Sequence, residues 1–150
     1  MKTKKLKLSE ILILETELLG SKNSETGEIV THGLLSQKLS ITTRYWLTKL
    51  GEIAKTEKES VETLNNELIK ELGTVMENGY YMISAAIEEG SNIPNPNFIK
   101  YNEEMNKLLS AEKDINHFEF TLDLFDDVTT TENYPIFYTL IDVHPTDETE

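Results

Sequence analysis

The sequence predicts an α+β fold, and three observations lead there. A helical pattern runs from about Leu34 to Leu72, the period changes after Gly73, and His117 to Leu124 alternates strictly between polar and apolar side chains. At 150 residues, 38% of them hydrophobic, the chain can bury one sizeable core and not two. The expected organisation is a single domain over residues 1–143, with N-terminal helices ahead of a small antiparallel sheet and a further helix. An acidic tail over 144–150 follows it.

The first helix is expected over 9–19. Ser9 is a good N-cap residue, and Glu10 suits the positive end of the helix dipole. Ile11, Leu14 and Leu18 fall on one face with Leu12 and Leu19 beside them, a broad stripe that asks to be buried, and Gly20 stops the helix. Residues 21–33 read as a loop or a small hairpin around Thr26-Gly27.

The long helix is expected over about 34–72. Leu50, Ile53, Glu57, Val61, Leu64, Leu68 and Leu72 are spaced 3, 4, 4, 3, 4 and 4, one continuous stripe of a nearly straight helix in which Glu57 is the flaw. At ~1.5 Å per residue such a helix spans ~50–60 Å, longer than the ~40 Å diameter of a compact domain of this size. Either Gly51, or Thr42-Thr43 before it, breaks the segment so that it folds back, or its end protrudes and buries the stripe on another chain. Gly51 alone costs only ~1 kcal/mol in a helix, so both readings stay open. Arg44, Tyr45 and Trp46 resemble interface hot-spot chemistry, although Trp46 lies one turn before Leu50 and continues the core stripe.

Beyond Gly73, Asn78-Gly79 signals a turn, and Tyr80 to Ser84 reads as a strand. Asn95-Pro96 reads as an N-cap followed by proline at the first helical position, opening a helix over about 96–111 with Phe98, Tyr101, Met105, Leu108 and Leu109 on one side. In the strand expected over 117–124, Phe118, Phe120, Leu122 and Leu124 face the core. His117, Glu119, Thr121 and Asp123 face water. Tyr134 to Val143 is a last apolar element, an edge strand or a short helix opened by Pro135.

Charge is distributed unevenly. Residues 1–75 carry 11 Lys/Arg against 11 Asp/Glu, while 76–150 carry 3 against 16, so the whole net charge of −13 belongs to the second half. That field repels nucleic acid and anionic membrane and attracts basic protein surfaces. Glu119, Asp123, Asp126 and Asp127 are the candidates for an acidic surface, and Lys2, Lys4, Lys5 and Lys7 form a basic arm suited to phosphates or an acidic partner, with a solvated, disordered terminus as its plainer reading.

Little in the sequence points to catalysis, and an enzyme is not expected. Cysteine is absent, which removes disulfides, thiolate metal sites and Cys nucleophiles. His32, His117 and His144 share no ligand spacing, and Asp123, Asp126 and Asp127 lack the glycine and terminal glutamate of a calcium loop. Phosphate loops, dinucleotide fingerprints and nucleophile elbows are missing from the sequence, so no cofactor or metal is expected. Neither a secretory signal nor an apolar run of membrane-spanning length is found, so a soluble chain of intracellular origin is expected.

Three strings, Lys7-Leu8-Ser9-Glu10-Ile11, Gly33-Leu34-Leu35 and Asn133-Tyr134-Pro135, together with the order of elements, resemble a loose group of small uncharacterised proteins of tailed bacteriophages. The resemblance implies a virion component of the neck or tail region and supplies no site residues. The expected function is structural: assembly as a homo-oligomer or ring, or against larger virion proteins. Trp46, Leu50, Ile53, Val61, Leu64 and Leu68 are the candidate interface residues, with a self-contained core as their plainer reading. A nucleic-acid mimic that fills a basic groove of a host protein, using the four acids as phosphate stand-ins, is the alternative.

Overall fold

The computed structural model describes residues 1–87, 90, 92–128 and 134–142, and it is an α+β fold. The expected acidic tail over 144–150, and Asn133 and Val143, lie outside the described residues. The chain divides into two compact units, Met1–Lys58 with Glu112–Glu150, and Glu59–Ala111.

In the first unit, β1 (Lys2–Lys7) pairs antiparallel with β6 (Glu112–His117), from Lys2 opposite His117 to Lys7 opposite Glu112. The basic arm expected to be a loose terminus is therefore a strand. Its wet face is held by cross-strand pairs: the Thr3 hydroxyl donates to Asn116, and Lys5 Nζ lies 3.2 Å from Asp114. On the other face Leu6 and Ile115 are buried.

α1 (Leu8–Leu19) follows without a break, so its N-cap is Lys7 and not Ser9. Glu10 accepts from the Lys7 backbone N–H at 2.9 Å, the reach-back half of a capping box. Gly20 ends the helix at φ +79, and a Cβ there would sit 2.6 Å from the Thr31 carbonyl oxygen, so glycine is required twice over. β2 (Ser21–Lys22) and β3 (Ile29–Thr31) form the expected small hairpin.

Leu34–Ser36 is a 3-10 turn, not the start of the long helix. α2 (Ile41–Leu72) begins only after Ser40, whose hydroxyl oxygen accepts from the Thr43 backbone N–H at 3.2 Å. Once begun, α2 runs through Thr42, Thr43 and Gly51 without interruption for 32 residues, about 48 Å at ~1.5 Å per residue. The broken-helix reading is thereby excluded. Gly51 is buried, and an added Cβ would meet only Leu19 and Leu35 side chains at ordinary contact distance.

The core of the first unit gathers Ile11, Leu14 and Leu18 of α1, Leu34, and Leu47, Leu50 and Ala54 of α2. Phe120, Phe125, Tyr134 and Phe137 complete it; Phe120 and Phe125 each meet Phe137 edge-on at 5.3 Å. The strand expected over 117–124 is largely absent. β6 ends at His117, β7 is only Phe120–Thr121, and Leu122–Phe125 is a 3-10 turn that leaves Leu122 exposed. β1 has six residues to offer as a partner and is used up at His117, so the aromatic side chains beyond it are satisfied by the ring cluster. α4 (Pro135–Tyr138) opens on its proline, and β8 (Ile141–Asp142) pairs with β7 in parallel, a departure from the expected all-antiparallel sheet. The segment from Tyr134 is thus helix first and strand second.

In the second unit, the last part of α2 leads to a hairpin of β4 (Thr74–Val75) and β5 (Tyr81–Met82) around Asn78-Gly79. Gly73 stops the helix where a Cβ would press on carbonyl oxygens of Ile69 and Met82 at 2.6 and 2.7 Å. α3 (Pro96–Ser110) follows, with the Asn95 side chain accepting from the Asn97 N–H at 3.0 Å as the sequence predicts. Asn97 Nδ2 donates to the Leu72 carbonyl at 3.1 Å and the Tyr101 hydroxyl donates to Asn65, which sets α3 antiparallel to the end of α2.

Candidate interaction surface

The stripe of α2 changes character along its length. Leu50 is 2% exposed and belongs to the first unit's core; Trp46 and Ile53 are half-buried against that core. Trp46 stacks flat on Phe118, with ring centroids 5.1 Å apart and planes 7° from parallel. These three interface candidates thus serve the chain's own packing. Arg44 is likewise employed at home: its guanidinium donates to the carbonyls of Leu35 and Gln37 and clamps the turn before the helix. Glu57, the polar flaw in the stripe, forms an ion pair with Lys113 of β6.

Beyond Lys58 the picture reverses. Val61 is buried, Leu68 is half-buried and Leu64 is 47% exposed. Among the described residues of Glu59–Ala111, Val61 is the only buried one, and α3 buries none of its 15 residues. The apolar face of α3, namely Phe98, Tyr101, Met105, Leu108 and Leu109, is covered only in part. Val75, Met76, Tyr80, Tyr81 and Met82 of the hairpin all stand exposed. Between α2 and α3 lies a groove of about 300 Å³ whose floor is Leu64, Leu68, Met105 and Leu108 and whose rim is Glu67, Glu71 and Glu104. The seam of α2 and the stripe of α3 were both readable from periodicity, but their meeting was not, since nothing local in either helix names the other.

The four acidic candidates do not form a regular row. Glu119 sits between β6 and β7 with its carboxylate 3.7 Å from Lys2 Nζ, and Asp123 accepts from the Thr121 hydroxyl inside the 3-10 turn. Asp126 and Asp127 are exposed in the turn that follows. His117, expected on a wet face, is buried, with Nδ1 2.7 Å from the Phe118 carbonyl oxygen. Among the described residues no group of three or more His, Asp or Glu converges to hold a metal ion, and no helix is long and apolar enough to cross a membrane.

Sequence reasoning passed over Glu17. Its carboxylate is buried on α1 and accepts from the backbone N–H groups of Ile136 at 3.0 Å and Phe137 at 2.7 Å, which open α4. Burial raises its pKa above the usual 4.5, and the two N–H bonds pull it back in part. The available signal was an acid set between Leu14 and Leu18 in a stripe too broad to leave room for water. Nearby, Glu15 is also buried, with Lys58 Nζ 3.2 Å away.

Compared with protein-family models, with curated proteins and with solved structures, the chain matches none.

Proposed function

We propose that this chain is a non-catalytic structural protein that works by protein–protein contacts, as the resemblance to tailed-bacteriophage proteins implies, and that its second unit supplies the contact surface. The observation that carries the reading is the burial of Val61 alone among the described residues of Glu59–Ala111. Ordering a residue costs on the order of 1–2 kcal/mol of backbone entropy, and burial of apolar surface is the main term that offsets it. A unit that leaves its helical stripes and its hairpin half-covered gains that burial on a second chain. The nucleic-acid-mimic reading loses support by comparison. It needed a regular row of acids, whereas Glu119, Asp123, Asp126 and Asp127 are spread over a connection and two turns, and Glu119 is beside Lys2.

Light scattering tests the proposal on the full chain, alone and mixed with virion proteins. The expected result is a species heavier than the 17.2 kDa monomer, with crosslinks mapping to residues 59–111. A strict monomer at every concentration that engages no virion protein overturns it.

A further inference from the structure

The groove between α2 and α3 combines two features that select one kind of occupant. Its floor is apolar, with Met105 adding a side chain that adapts to what lies on it. Its rim is carboxylate: Glu67 and Glu71 on α2 and Glu104 on α3. Lys107 lies 3.8 Å from Glu104 in an exposed pair, and three carboxylates against that one ammonium leave the rim net acidic. From Leu64 to Glu71 the groove follows about 10 Å of helix, two turns at ~1.5 Å per residue. Two antiparallel helices with an open seam accept a third helix that lays a stripe of i, i+4 and i+7 anchors between them.

We infer that this groove binds an amphipathic helix of a different protein, with an apolar stripe flanked by Lys or Arg. The inference rests on the assembly reading above and names the partner of that same surface. Charge decides against a second copy of this chain. Residues 59–111 hold nine Asp/Glu against three Lys/Arg, and a second copy would bring the same carboxylates to the same rim. A basic helix places its cations beside Glu67, Glu71 and Glu104 while its anchors cover Leu64, Leu68, Met105 and Leu108.

The test is fluorescence anisotropy with the full chain and two synthetic amphipathic helices of about 18 residues, long enough to be helical when bound. Both carry the same leucine stripe, one flanked by Lys/Arg and the other by Glu. The basic probe is expected to bind and the acidic probe not to. Glu67→Lys with Glu71→Lys is expected to weaken binding by about tenfold or more, whereas Glu77→Lys with Glu103→Lys, the same change of net charge off the groove, shifts it less than about twofold. Leu68→Asn, which leaves every charge in place, is expected to weaken it as well. Circular dichroism checks that the variants keep their helix. Equal binding of the two probes, or equal losses in the two charge-reversed variants, overturns the inference. So does failure of the basic probe to bind a chain that light scattering finds assembled with itself or with virion protein; in that case the assembly reading stands and the groove's partner is wrong. A strict monomer that engages neither probe nor protein overturns both.

Discussion

Glu17 ties two distant segments of the first unit together. Its two oxygens satisfy backbone N–H groups 119 and 120 residues further along, so one carboxylate on α1 holds α4 in place. Glu17→Ala leaves one buried donor, at Phe137, and one half-buried donor, at Ile136, without their acceptor and is expected to lower stability by roughly 2 kcal/mol in urea unfolding. The pH dependence has a definite sign. Because burial raises the folded pKa above 4.5, the native state holds the proton more tightly than the unfolded chain does. The stability Glu17 contributes is therefore fullest below 4.5 and declines as pH rises through the raised value, and the gap between wild type and Glu17→Ala narrows over that interval. Trp46 makes a second residue-scale case. Stacked on Phe118 and packed on the core, it is expected to cost about 2–3 kcal/mol when replaced by alanine. The same change leaves the mass of any assembly unaltered, since the ring faces inward. An acid in a broad apolar stripe and a tryptophan one turn before Leu50 were both visible in the sequence. Their partners were not, because Phe118 and Ile136 belong to segments whose placement depends on long-range packing.

At the scale of elements, α2 tests the view that its middle is well-packed helix. Gly51→Ala removes chain entropy from the unfolded state and places a methyl at ordinary distance from Leu19 and Leu35. It is expected to stabilise by up to about 1 kcal/mol, raising the midpoint of thermal unfolding by about 2–4 °C. Asn95→Ala removes the cap of α3 together with the Asn95 donation to the Ser84 carbonyl at 2.9 Å. A loss of about 1 kcal/mol, seen first as faster amide exchange in the opening turn of α3, is the expected outcome. Local chemistry made these helices readable: Gly20 and Gly73 as stops, Asn95-Pro96 as a start, and periodicity in between. The strands were read poorly for a physical reason. Alternation reports which side chains want burial, but a strand also needs a partner of matching length, and the partner of β6 is a lysine-rich segment with only Leu6 buried. The hydrophobic pattern of 118–124 was real, and aromatic packing met it without a ladder.

Across the whole molecule, the charge asymmetry of the sequence is partly undone by folding. The lysines of β1 come from the neutral half, yet Lys5 and Lys2 lie beside Asp114 and Glu119 from the acidic half. A large share of the acidity left over belongs to residues 59–111, the unit with one buried residue among those described. The helix too long for one compact body is divided between two, its first part packed in a closed core and its last part lining an open groove. If the second unit completes its core on a partner, its helices are poorly protected until that partner arrives. Amide hydrogen exchange on the full chain, alone and in its assembly, reads this directly. The expected result is that amides of α3 exchange far faster than those of α1 in the monomer and slow sharply once the assembly forms. Protection of α3 equal to that of α1 in a chain that stays monomeric would contradict it.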